Sequence, residues 1–360
     1  MLNKTATSAL TFTVLSFFST EPVFAQDEVK PTPSTKISGY VDAYYRYNFQ
    51  NAKAVAAPEG YNNKTSFTNS HNSFELGMAS VKLEHSLGKV SGTLDVGYGR
   101  RAEEFSYNDA GAMAALKQAF ISYAPADVVT FTLGKFGTHV GYELLDPQYN
   151  RNYSMSYMFS YGPFFHTGLK MDVAPSDNVS FMIGVANPTD YTTASFEKKF
   201  LLGQFHAASS NGVLSGYLNY AGGKDTAGTA SHQLDLVLTG KVSDKFNIGY
   251  NGTTRSLKPG GGEKGSFWGS ALYLNYDPTE ITSLTLRGEY FDDTNGAGAT
   301  GGAVGTSVFS ATLSANFKVG GLTIIPELRH DAAKDAVYYK KDGATTKGAT
   351  SFLLAAVYSF

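Results

Sequence analysis

The sequence predicts an all-β protein, a transmembrane antiparallel up-and-down β-barrel of about 16 strands. Three observations lead there: segments of alternating apolar residues from Ile37 onward, connections that alternate between short and long, and an amphipathic aromatic strand ending at Phe360. Composition agrees with many short strands, since 23 Tyr and 25 Phe accompany 38 Gly while only 17% of residues are charged. The same composition excludes several classes. Without cysteine there is no disulfide framework, thiolate nucleophile, Cys-ligated zinc or lipid-modified N-terminal cysteine. A net charge of -2 leaves no basic footprint for nucleic acid.

Residues 1–25 place Lys4 ahead of the apolar run Ala9–Phe18 and end in Val23-Phe24-Ala25, the pattern of a secretory signal peptide cleaved after Ala25. That run is too short to cross roughly 30 Å of hydrocarbon, which takes about 20 residues. Residues 26–36 (QDEVKPTPSTK) are polar with two prolines and read as an exposed periplasmic leader. Residues 37–360 form the barrel. Nothing in them approaches the roughly 18 consecutive apolar residues of a spanning helix, so a membrane-embedded product crosses with strands.

Strands are expected over 37–49, 72–86, 89–100, 116–125, 128–136, 163–174, 178–187, 199–208, 212–221, 231–242, 245–256, 266–276, 281–291, 306–318, 321–330 and 349–360. In the tenth, Leu234, Leu236 and Leu238 alternate with Gln233, Asp235, Val237 and Thr239. In the thirteenth, Leu284, Leu286 and Tyr290 share one face while Arg287 and Glu289 take the other. Val179, Phe181, Ile183 and Val185 repeat the pattern, as do Phe309, Leu313, Ala315 and Phe317. A soluble sandwich also alternates, so the connections decide. Leu87-Gly88, Ala126-Asp127, Pro175-Ser176-Asp177, Ser243-Asp244, Asp277-Pro278-Thr279-Glu280 and Val319-Gly320-Gly321 are compact turns. The others mostly run from about 9 to 26 residues, the rhythm of short periplasmic turns and long extracellular loops. Both chain ends then lie in the periplasm. Two irregularities stand out: a phase change between Met78 and Val81 that requires a bulge, and Pro326, which lacks a ladder donor. The pair around Ser209–Asn211 is weakly marked, which leaves 14 strands as the alternative count. Arginine at Leu286 should impair assembly, and arginine at Thr285 should be tolerated.

In the last strand Phe352, Leu354, Ala356, Tyr358 and Phe360 occupy alternate positions. Such an ending resembles the signature by which bacterial outer-membrane proteins are read by the barrel-assembly machinery. It implies that machinery and outer-membrane lipid as partners.

Four motifs then follow in order between Leu116 and Asp190: QAFISY at Gln118–Tyr123, GKFGTHVGYE at Gly134–Glu143, a Tyr-rich loop at Tyr149–Tyr161, and FHTGL at Phe165–Leu169. This stretch resembles the "putative beta-barrel porin, OmpL-like" family. The resemblance implies a porin-like barrel of the bacterial outer membrane and leaves its solutes undefined. His139 stands where a proline or another small residue is expected.

The loop Gly137–Gly162 is the third long one and the longest. In general porins the corresponding loop folds inward and narrows the channel. By that analogy Glu143, Asp146 and Arg151 supply opposing charges at a constriction; an aromatic extracellular lid built on Tyr142, Tyr149, Tyr153 and Tyr157 is the alternative. Asp42, Arg46, Asp95, Lys170, Asp172, Asp235, Arg255, Arg287, Glu289, Glu327 and Arg329 fall opposite the lipid-facing rows. Five positive against six negative charges predict weak charge selectivity, unless these groups pair with one another and fill the lumen.

Three enzyme-like patterns are weaker. Gly296–Gly301 matches G-x-G-x-x-G but precedes a strand rather than a helix. His330-Asp331 cannot act as a pair because neighbours on a strand face opposite ways. Asp292, Asp293 and Asn295 lack EF-hand spacing. The expectation is therefore a non-enzymatic porin without cofactor or metal, passing small hydrophilic solutes by diffusion. A closed barrel serving adhesion, surface interaction or envelope structure is the other reading. A homotrimer, frequent among general porins, is left open.

Overall fold

The computed structural model describes residues 31–296 and 304–360. The expected signal peptide and residues 26–30 of the leader lie outside the described residues, as do Gly298 and Gly301 of the glycine motif.

Strands form where the alternating segments lie: β1 (Ser34–Asn48), β2 (Ser73–Leu87), β3 (Val90–Tyr98), β4 (Leu116–Ala126), β5 (Val129–Gly137), β6 (Phe165–Ser176), β7 (Val179–Ala186) and β8 (Phe200–Ala208). They continue with β9 (Leu214–Lys224), β10 (Ala230–Lys241), β11 (Phe246–Lys258), β12 (Gly265–Thr279), β13 (Thr282–Asp292), β14 (Ser307–Val319), β15 (Leu322–Ala333) and the C-terminal strand Gly348–Ser359. Each pairs antiparallel with its sequence neighbours. The C-terminal strand closes the ring by pairing with both β15 and β1, Tyr358 opposite Val41. The barrel thus has 16 strands, and the pair around Ser209–Asn211 is β8 and β9, joined where Ser209 N donates to Leu214 O at 2.8 Å.

The orientation of the alternation shows what solvent the barrel is made for. In β13, Ser283, Thr285, Arg287 and Glu289 are buried while Leu284, Leu286 and Tyr290 point outward. In β10, Gln233, Asp235 and Val237 face in and three leucines face out. A polar interior inside an apolar belt reverses the soluble arrangement and suits lipid. Among the described residues no helix is long and apolar enough to cross a membrane.

Some details differ from the expectation. β1 starts at Ser34, so the leader's last three residues pair with β2. The bulge lies at Gly77, one residue before the expected phase change: Asp42 pairs with Met78 and Ala43 with Leu76. Opposite Pro326 the β14–β15 ladder opens, with pairs at Ser314–Glu327 and Phe317–Ile324 but none between. Two connections on the long-loop rim shrink to 225–229 and 259–264 because their strands run on past the alternating core. Four of the remaining long connections matter most here: L1 (49–72), L2 (99–115), L3 (138–164) and L4 (187–199).

Candidate functional site

L3 leaves β5 at the long-loop rim, where Thr138 N donates to Phe164 O across its neck. It then enters the barrel. His139 Nε2 lies 2.9 Å from Tyr220 O, Gly141 N donates to Asp235 Oδ1 at 3.0 Å, and the Tyr142 ring stacks on Tyr273 with centroids 4.2 Å apart. The wall makes room for this with glycine: a Cβ on Gly249 would meet the Tyr142 ring at 2.7 Å, and one on Gly269 would meet Met158 Cγ at 2.5 Å. L3 descends to the short-turn rim, where Arg151 holds Asp277 through two hydrogen bonds of 2.6 and 2.9 Å. It then climbs back through the lumen centre, where Tyr153, Met155 and Tyr157 are fully buried.

A backbone taken off water must find partners for its N–H and C=O groups. Here wall charges supply them. Glu327 accepts from Tyr153 N and Ser154 N, and Glu289 from Tyr157 N and Met158 N, both at 2.9 Å. Arg287 donates to Ser154 O and pairs with Glu143, which in turn accepts from Ser156 N. Arg329 donates to Met155 O while holding Asp331. Asp42 accepts from Tyr153 Oη and from Met78 N at the bulge. Such charge-assisted bonds are roughly twice as strong as neutral ones, so the loop is pinned along its length.

Eleven wall charges are named from sequence. Nine are buried, and only Lys170 and Asp172, bonded to each other at 2.7 Å, stay half-exposed. Arg46 holds L1 by the carbonyls of Tyr61, Asn62 and Ser70, while Asp95 pairs with Lys117 and Asp235 binds Asn219 and Asn251. The wall is therefore a set of clamps on loops more than a ladder facing water. Glu143, Asp146 and Arg151 do not oppose one another across a single gap: Glu143 sits on Arg287, Asp146 on Lys117 (2.7 Å) and Tyr40, and Arg151 on Asp277. Thr285 is fully buried and donates to Asn275, which leaves no room for the arginine the sequence reading allows there.

Sequence reasoning missed several charged groups. Arg101, in the short helix α1 (Arg100–Phe105) of L2, is fully buried 4.0 Å from Asp42 and over the Phe67 and Tyr153 rings. Lys117 turns inward because the β3–β4 register slips between Asp95 and Val96; the adjacent polar pair Lys117-Gln118 at a strand start was the available signal. Asp190 of L4 accepts from Phe164 N, Phe165 N and the Tyr107 hydroxyl, and burial raises its carboxyl from 3.8 to about 6.

Beside L3 three cavities remain. One of ≈ 380 Å³ lies against β2–β6, one of ≈ 630 Å³ adjoins it at the short-turn mouth, and one of ≈ 430 Å³ surrounds the Arg151–Asp277 pair. Each is lined by as many basic as acidic residues. In the first these are Lys82, Lys117 and Lys170 against Asp95, Glu143 and Asp146. At its far end Phe105, Phe159 and Phe164 join Phe67 in an aromatic cluster contributed by L1, L2 and L3.

A family model described as "Putative beta-barrel porin-2, OmpL-like" matches residues 34–360. The chain belongs to this family. It is a porin-type β-barrel of the outer membrane, with the fold of solved outer-membrane porins. The outer-membrane channel DcaP of Acinetobacter baumannii aligns with a TM-score of 0.63 at 13% identity, over 91% of this chain and 97% of that one. The anion-selective porin from Comamonas acidovorans gives 0.60 at 11%, over 91% and 100%. OmpT of Vibrio cholerae in its trimer form gives 0.60 at 12%, over 91% and 99%. No curated protein matches the chain. Within this porin family member, the inward third loop and the cavities beside it form the candidate site.

Proposed function

We propose that the protein passes small hydrophilic solutes across the outer membrane by passive diffusion, with L3 controlling access and little preference for charge. The observation that carries this reading is the pairing of an inward, wall-pinned L3 with cavities whose basic and acidic linings balance one for one. Charge rings of one sign are what make a pore selective, and these cavities have none. Solutes would skirt L3 on the β2–β6 side, between Lys117 and the loop.

The packed lumen centre favours a second reading, a closed barrel that presents its loops as a surface. Planar-bilayer recording of the refolded chain decides between them. Stable ohmic steps with a reversal potential near zero in a salt gradient support diffusion; a folded barrel that conducts nothing supports closure. Neutralising Asp146 should change conductance more than neutralising Arg151, because Asp146 lines the β2–β6 cavity and its mouth. The C-terminal strand as the handle for barrel assembly, and a homotrimer like that of the OmpT trimer form, belong to the same proposal; native mass spectrometry in detergent reads the oligomeric state.

A further inference from the structure

On the long-loop rim, a cleft of ≈ 300 Å³ opens between L2, L4 and the ends of β8–β11. This is the lower end of the range for small-molecule sites, about 300–1,000 Å³. Tyr107, Tyr191 and Phe200 line it together with Arg255 and Asp225. The Tyr107 hydroxyl is committed to Asp190, so this residue offers its ring. Tyr191 is about half-exposed.

Arg255 is the unusual member. It is 8% exposed, with Nε donating to Ser231 Oγ and Nη1 to Tyr161 O, both at 3.1 Å, while Nη2 donates to nothing. Among the described residues it joins no ion pair. The other buried arginines are compensated: Arg287 by Glu143, Arg329 by Asp331, Arg101 beside Asp42, and Arg46 by three loop carbonyls. The buried Asp190 carboxylate attracts Arg255 from beyond ion-pair distance, so this buried cation is only partly compensated, and a guanidinium is shaped to meet a carboxylate.

We propose that this cleft binds the carboxylate of a small monoacid on Arg255, with the acid's ring or hydrocarbon body against Tyr107, Tyr191 and Phe200. Asp225 shares the cleft and repels a second negative charge, so diacids bind less well. The cleft lies apart from the β2–β6 route of the diffusion reading, and binding here requires no conduction.

The test is ligand-observed NMR or calorimetry on the folded full chain in detergent, with benzoate, benzyl alcohol, benzylamine and phthalate as probes. Saturable benzoate binding is expected, with the alcohol and the amine at least tenfold weaker. Arg255→Gln should weaken benzoate at least tenfold, Tyr191→Ala several-fold, and Asp225→Asn should strengthen phthalate. Tyr191 lies in an exposed loop, so Tyr191→Ala keeps the test valid even where Arg255→Gln fails to fold. Absence of saturable binding, equal binding of benzyl alcohol and benzoate, or unchanged affinity in either the Arg255 or the Tyr191 variant overturns the proposal. Benzoate binding to a barrel that does not conduct upholds the site and overturns only the diffusion reading.

Discussion

Single residues in this barrel differ in weight according to how much water reaches them. Arg287 and Glu143 are buried together, and Arg287→Ala strands a carboxylate in the packed lumen, which costs roughly 3–5 kcal/mol. Arg151 and Asp277 form an equally well-shaped pair, but both are about one-third exposed, and Arg151→Ala should cost only about 0.2–1 kcal/mol. Thermal unfolding in detergent should separate the two variants clearly. Asp190 adds a dependence on pH. Burial lifts its carboxyl from 3.8 to about 6, so between those values the folded chain keeps a proton that the unfolded chain has released. Its contribution to stability is therefore greatest in acid and falls as pH rises toward 6. Asp190→Asn retains an acceptor for Phe164 N and Phe165 N while removing the titration. The protection of these two amides against exchange should then lose its slope across that interval.

Among the elements, strands and the third loop answer to different rules. Leu286 points into lipid between Leu274 and Leu313, and arginine there costs roughly 2–4 kcal/mol at mid-membrane. Ser283, three residues earlier on the inward face, lines the ≈ 430 Å³ cavity and has room for a longer side chain. Leu286→Arg should fail to reach the heat-resistant folded band on a gel, whereas Ser283→Arg should reach it; equal behaviour would contradict the strand phase. L3 depends on its clamps. Removing both Glu289 and Glu327 leaves four peptide N–H groups, of Tyr153, Ser154, Tyr157 and Met158, without their acceptors. Each buried unpaired group costs roughly 1–3 kcal/mol, enough to free the loop while the ladder around it stays intact. Larger and noisier currents are expected from Glu289→Ala with Glu327→Ala, and an unchanged current would mean that L3 does not control passage.

At the scale of the whole molecule, closure depends on the C-terminal strand, where Phe360 exchanges two backbone hydrogen bonds with Gly39 and turns its ring outward. Deleting Phe360 removes this last rung and should lower insertion into the outer membrane while export continues, as cell fractionation would read. The barrel was largely legible in the sequence. A strand's side chains alternate with period two, so Gln233–Thr239 or Ile281–Phe291 declare their two faces without any partner, and the alternation of short turns with long loops then sets order and closure. Family membership was legible as well, through motifs from Gln118 to Leu169. The interior was not. Which wall charge meets water and which holds a loop depends on where L3 goes after Thr138, and irregular backbone carries no period from which to read a path. Hence Glu143, Asp146 and Arg151 looked like facing members of one eyelet but sit on Arg287, Lys117 and Asp277 respectively. Arg101 and Asp190, placed by loops, gave no signal at all. The sequence by itself determined the barrel, because lipid on one side and polar contacts on the other act on every second residue. Only the tertiary structure decided the lumen, because there a buried loop backbone and the wall charges must satisfy each other in three dimensions.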